Sequence, residues 1–133
     1  MGMTLKFIIG LDPITKKNHG QIIRVGGRPR MIPSKQYIQY DKDCAVFMPH
    51  LPKPIDYPVT VSAQFFKSTR RAYDLVNALQ ALLDILVKYG VLADDNANVV
   101  FSVDGSRAGY DKAYPRTEVE ITGEEPDGRM DNA

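Results

Sequence analysis

Apolar residues recur along this chain with two distinct periods. From Asp74 onward, Leu75, Leu79, Leu82, Leu86 and Tyr89 follow at steps of three or four, and Gly90 stands where a helix-ending glycine belongs. This spacing predicts a helix over 74–89. At about 100° per residue, Asp74, Asn77, Ala81, Asp84 and Lys88 share one narrow stripe. The other faces carry Val76, Ala78, Leu83, Ile85 and Val87, so the helix is expected to be buried on most sides.

Elsewhere the period is two. Strands are predicted at 4–11 (Leu5, Phe7 and Ile9 alternating with Thr4, Lys6 and Ile8), at 59–66 (Val59, Val61, Ala63 and Phe65 on one side), at 98–103 and at 117–122. Gln21–Val25 and Pro29–Ile32 bracket Gly26-Gly27, the signature of a tight hairpin. Pro33-Ser34 opens a second helix with Ser34 as its cap, and Tyr37, Tyr40 or Asp41, Cys44 and Phe47 or Met48 step along one side. Pro49, Pro52, Pro54 and Pro58 mark a link that no helix can cross. Residues 105–115 read as a loop holding Arg107, Tyr110, Asp111, Lys112 and Tyr114.

The element order implies an α+β fold: a single domain with one mixed β-sheet covered by two main helices. In it, strand 59–66, helix 74–89 and strand 98–103 form a crossover unit. The domain is expected to span residues 1–122, with 123–133 as a flexible acidic tail of Gly, Pro and charge. Met1-Gly2-Met3 reads as a second start behind an appended Met-Gly, lying outside the fold.

Composition narrows the class. An apolar fraction of 44% and 25% charged residues over 133 positions are ordinary for a soluble domain with a real core. No apolar run approaches the roughly 20 residues of a membrane span, and no signal-peptide pattern opens the chain. The single cysteine, Cys44, excludes an internal disulfide, suits a cytoplasmic location and sits on an apolar helical face as a packed thiol. His19 and His50 have no acidic motif beside them and receive no role.

The net charge of +1 hides an uneven distribution. Lys16, Lys17, Arg24, Arg28, Arg30 and Lys35 crowd the first quarter, whereas Glu118, Glu120, Glu124, Glu125, Asp127 and Asp131 gather at the end. Local basic excess is what a phosphate-tracking surface requires; solvated loop charge is the plainer alternative. Acids also stand at both ends of the most apolar element: Asp74 before it, Asp94-Asp95 after it. Mg²⁺ takes such hard oxygen ligands, and a shared cation would relieve the repulsion of the adjacent pair. An N-cap for Asp74 and a solvated turn for Asp94-Asp95 are the structural alternatives, and for Asp104 a turn is the first reading and an extra ligand the second. Bringing the two ends together requires a short return of the chain across the helix.

Arg70-Arg71, Asp74-Leu75-x-Asn77, the helical run, Gly90 and Asp94-Asp95 resemble the RusA family of Holliday junction resolvases. Ile14-Thr15-Lys16-Lys17-Asn18, Ile32-Pro33-Ser34-Lys35 and Tyr114-Pro115-Arg116-Thr117-Glu118 fall in similar order to segments of RusA-like proteins, so the resemblance covers most of the chain. It implies an endodeoxyribonuclease of DNA recombination and repair that cleaves Holliday junctions or other branched DNA, depends on Mg²⁺ with Mn²⁺ as an alternative, and acts as a homodimer. Relatives are often prophage-borne. The resemblance implies metal-binding and catalytic roles for Asp74 and Asp95, with Asp94 in support, and DNA contact by Lys16, Lys17, Asn18, Arg70 and Arg71. Asn77, on the Asp74 stripe, is a candidate to coordinate the metal or orient its water. The family pattern carries an acid where this chain has Val76, and a lysine where it has Gln80; Lys16 or Lys17 could supply that charge. Two rival readings follow: a branched-DNA-binding protein impaired in cleavage, and a small interaction domain that binds no nucleic acid.

Overall fold

The computed structural model describes residues 2–15 and 21–126. Along the chain these form β1 (Gly2–Ile9), β2 (Gln21–Val25), β3 (Arg28–Ile32), α1 (Lys35–Cys44), β4 (Val59–Lys67), α2 (Leu75–Lys88), β5 (Val100–Ser102), β6 (Arg107–Tyr110) and β7 (Arg116–Glu124). The fold is α+β, as the element order implies.

Five strands form the main sheet, in the order β1-β7-β4-β5, with β6 also pairing β4. β7 runs antiparallel to both β1 and β4, whereas β5 and β6 run parallel to β4. The alternation read from the sequence decides which face is covered. Ile9, Val59, Val61, Ala63, Phe65, Val119 and Ile121 are buried in one cluster with Tyr37, Tyr40 and Cys44 of α1 and the apolar face of α2. The opposite face, through Lys6, Ser62, Gln64, Glu118 and Glu120, opens onto a shallow cavity of about 680 Å³.

Both helices start at the residues that can cap them. Ser34, extended at φ −60° and ψ 159°, accepts the Tyr37 N–H at 3.1 Å, and Asp74 caps α2. α2 is terminated by Gly90, two residues past its last helical residue, whose φ of +78° is accessible to glycine without strain. The Val91 N–H then closes back on the Leu86 carbonyl at 2.9 Å, and Leu92 bridges Ile55 in the proline-rich link. Tyr89 donates its hydroxyl to Asp41, which also pairs with Lys88 at 3.0 Å, tying α2 to α1. Cys44 is buried, and burial pushes its thiol up to about 12, as a packed cysteine requires.

Several expectations are corrected. Gly2 and Met3 are part of β1, in register with Glu124 and Gly123, because the strand's alternation carries Met3 onto the core side. Two residues assigned to the tail, Gly123 and Glu124, therefore belong to β7; residues 127–133 lie outside the described residues. The β2–β3 hairpin forms its own two-stranded sheet instead of joining the main one. The strand expected at 98–103 shortens to three residues, because Ala97 to Val99 are a turn. A strand appears at β6 within the expected loop. Val76 is 71% exposed, so the first turn of α2 has an open side. Strand β4 is interior to the sheet, with both edges paired.

Candidate active site

The approach to α2 is built by unlike bonds meeting at the end of β4. Lys67 donates to the Pro13 carbonyl at 2.6 Å, and Asp12 accepts both the backbone N–H and the hydroxyl of Ser68. The segment leading to residues 16–20 is thereby fastened beside the run that carries Arg70 and Arg71. Lys16, Lys17 and Asn18 themselves lie outside the described residues.

Arg70 lies over the Tyr110 ring at 4.2 Å, and Arg71 is exposed. Residues 69–73 and 108–110 line a groove of about 560 Å³. Its floor is held by Tyr73, whose hydroxyl accepts the Gly109 N–H at 3.0 Å and lies 3.1 Å and 3.3 Å from the Gly109 and Phe65 carbonyls. Burial raises the pKa of this phenol, with the Gly109 contact acting the other way. Gly109 suits the spot: a Cβ there would come within 3.1 Å of the Phe65 carbonyl.

Asp74 follows Tyr73 directly. Its Oδ1 accepts the N–H groups of Val76 at 2.9 Å and Asn77 at 3.3 Å, satisfying two of the helix's orphan donors. Asn77 is half-buried one turn on.

Beyond α2, the bridge between Leu92 and Ile55 turns the chain back along the helix. Asp94 shapes the next turn: its Oδ1 accepts the Asp95 N–H at 2.7 Å and its Oδ2 accepts from Asn96 at 3.1 Å. Asp95 then reaches α2, its Oδ2 accepting from the Gln80 side-chain amide at 3.3 Å. The same Gln80 nitrogen donates to Asp84 at 3.1 Å. The short return across the helix thus exists, and it delivers Asp95 to the middle of α2. Gln80 lies six residues beyond Asp74, an axial rise of about 9 Å at 1.5 Å per residue. Asp74, Asp94 and Asp95 do not form a three-ligand group; among the described residues no such group of His, Cys, Asp or Glu occurs. Asp104 sits in an exposed turn, its N–H bonded to Ser102, next to Gly105 at φ +85°.

These side chains meet a known pattern. The family model of endodeoxyribonuclease RusA matches residues 11–122. The chain belongs to the RusA family. No curated protein matches it. RusA-family proteins are endodeoxyribonucleases that act on branched DNA, and the match takes in Asp74, Asp95 and the groove lined by residues 69–73 and 108–110. No helix is long and apolar enough to cross a membrane among the described residues.

Two contributors were not assigned roles from sequence. Gln80 is one: the sequence marks it as the position of the family lysine and as i,i+4 to Asp84, but not as the residue that meets Asp95. The other is Arg116, within a RusA-like segment. It bonds Glu118 and Asp111 at 2.8 Å each and the Tyr114 carbonyl at 2.8 Å, between the rings of Phe66 at 4.1 Å and Tyr114 at 4.7 Å. The Arg116 guanidinium holds the Asp111 carboxyl below its ordinary value, aided by the Tyr114 N–H. This hub fixes the β6–β7 loop beside the groove.

Proposed function

We propose that this protein is a Mg²⁺-dependent, structure-selective endonuclease that cuts Holliday junctions or other branched DNA, with Mn²⁺ able to replace Mg²⁺. Beyond family membership, the observation that supports this is the Gln80–Asp95 hydrogen bond, which sets Asp95 against the flank of the helix opened by Asp74. Mg²⁺ is commonly held by one or two carboxylates, with water and substrate phosphates completing its octahedron. An exposed Asp95, with Asp84 one amide away, fits such a hydrated ion; a closed carboxylate cage is not what these residues build.

Asp95 would hold the ion, Asp74, about 9 Å along the helix axis, would reach it through bound water or the substrate phosphate, and Asp94 would set the backbone that aims Asp95. When bound, Mg²⁺ would supply activation of water for in-line attack and neutralisation of charge on the phosphate. Asn77 would orient the attacking water through its amide. Arg70 and Arg71, with Lys16, Lys17 and Asn18 of the N-terminal loop, would grip neighbouring phosphates and so fix position without reading sequence. A four-way junction has two-fold symmetry, which a homodimer would match with paired nicks.

The alternative, a branched-DNA-binding protein impaired in cleavage, draws on two observations. Val76 is an exposed apolar side chain where the family pattern has an acid, and the residue that meets Asp95 is a neutral amide instead of a lysine. Synthetic four-way junctions incubated with Mg²⁺ or Mn²⁺ separate the readings. Paired nicks from the wild type, lost in Asp95→Asn with binding retained, support the nuclease. Tight junction binding without nicks supports the impaired protein, and equal affinity for junction and duplex defeats both.

A further inference from the structure

The β2–β3 hairpin leaves its apolar side chains in water. Ile22 is 70% exposed, Met31 69% and Val25 48%. A lone two-stranded ribbon is marginally stable, so such exposure needs a physical reason. Its register sorts the side chains. Ile22 faces Met31 and Arg24 faces Pro29 on one side; Ile23 faces Arg30 and Val25 faces Arg28 on the other. Between Gln21 and Ile32 there are three arginines and no acid. The turn is equally clear: Gly26 and Gly27 both have positive φ, as a tight hairpin with strand-matched twist requires, and a Cβ at either would meet nothing within 4 Å. Arg24 folds toward that tip, donating to the Gly27 carbonyl at 3.1 Å.

A second copy of this chain packed hairpin on hairpin would cover the apolar residues but bring like charges together. A nucleic acid answers both features: phosphates take the arginines, and base edges or unstacked bases take the aliphatic side chains, as wedge residues do in bent DNA. A two-stranded ribbon also has the width that the major groove admits.

We infer that the hairpin 21–32 is a DNA-gripping ribbon, with Arg24, Arg28 and Arg30 on phosphates and the Ile22–Met31 pair against bases exposed at a branch point. This assignment rests on the branched-DNA reading and adds to it a second contact surface, separate from the acids of α2.

The test is fluorescence anisotropy on a labelled four-way junction and on linear duplex, in chelator so that nothing is cut. The full chain is compared with Arg24/Arg28/Arg30→Gln and with Ile22/Met31→Ser, each checked for folding by circular dichroism. At about 0.9 per phosphate, the glutamine variant should flatten the plot of log affinity against log salt by about 2.7 for each engaged hairpin. Between about 50 and 200 mM salt this is a difference of about forty-fold in the affinity lost. The serine variant should keep the wild-type slope and lose about tenfold in junction affinity, the size of one base contact, with little change on duplex. A wild type that binds junctions tightly, with both variants matching it, overturns the ribbon while leaving the branched-DNA reading intact. A serine variant that instead changes the sedimenting species from dimer to monomer also overturns it, by showing a protein contact. A wild type without junction affinity defeats the branched-DNA reading, and the ribbon with it.

Discussion

Helix α2 and the β2–β3 hairpin are both rich in large aliphatic side chains and dispose of them in opposite ways. In α2, Leu79, Leu82, Leu83, Ile85 and Leu86 are buried against the sheet and α1. In the hairpin, Ile22, Ile23, Val25 and Met31 are exposed. The difference lies in where charge falls. On α2 the polar residues are confined to one side, so a continuous apolar face remains for the core. On the hairpin each face mixes aliphatic residues with arginine, Arg24 on one and Arg28 and Arg30 on the other, so neither can be buried without stranding a cation, which is costly. Apolar content alone does not say what a segment is for; its interleaving with charge does.

The sharpest way to break this comparison is to truncate one residue on each side of it. Leu86 is fully buried, and Leu86→Ala should cost about 2–5 kcal/mol in urea denaturation. Tyr73→Phe comes next, at about 1–3 kcal/mol, because the Gly109 N–H loses its acceptor where α2 is fastened to β6. Asp74→Ala should cost about 1 kcal/mol through the lost cap. Asp74→Asn, which caps about as well, should keep the stability and lose nicking; if it loses neither, Asp74 is a cap alone. The smallest effect is expected at Ile22→Ala, within about 0.5 kcal/mol, and a loss comparable to Leu86→Ala would mean the hairpin is packed in solution.

The Arg116 hub offers a test without any stability readout. Because Asp111 has a depressed folded pKa, its contribution is present above the unfolded value and is lost as pH falls through the folded one. NMR titration should place its midpoint below the ordinary carboxylate range. Arg116→Gln should return it towards that range; an unmoved midpoint would assign the shift to the Tyr114 and Ala113 N–H groups instead.

Local patterns in the sequence anticipated the elements whose physics is local. The 3.6-residue period and Gly90 placed α2, Ser34 and Asp74 were caps, and Gly26-Gly27 was the hairpin turn. Strand β6 escaped because Arg107–Tyr110 is short, contains Gly109 and gains its partner from β4, some forty residues earlier. The openness around Val76 escaped for a related reason, since which side of a helix faces water depends on what packs there. At the site, the acids could be named from residue type and family likeness, but not their spacing. The Gln80–Asp95 contact is set by how the Ile55–Leu92 bridge folds the return, a long-range event without a sequence signal. Arg116 was visible as part of a segment, and its four partner residues were not.

The pairing of Gly2 with Glu124 carries a consequence of its own. The outermost residues of the sheet are direct neighbours across one ladder, with α-carbons about 5 Å apart. With residues 125–133 removed, a short glycine-serine joint could link Glu124 to Gly2, and new ends could be opened between Gly26 and Gly27, where an added Cβ would meet nothing within 4 Å. Such a rewired molecule would keep its five-stranded sheet and both helices while splitting the arginine-bearing ribbon into two free arms, separating what the scaffold does from what the ribbon does.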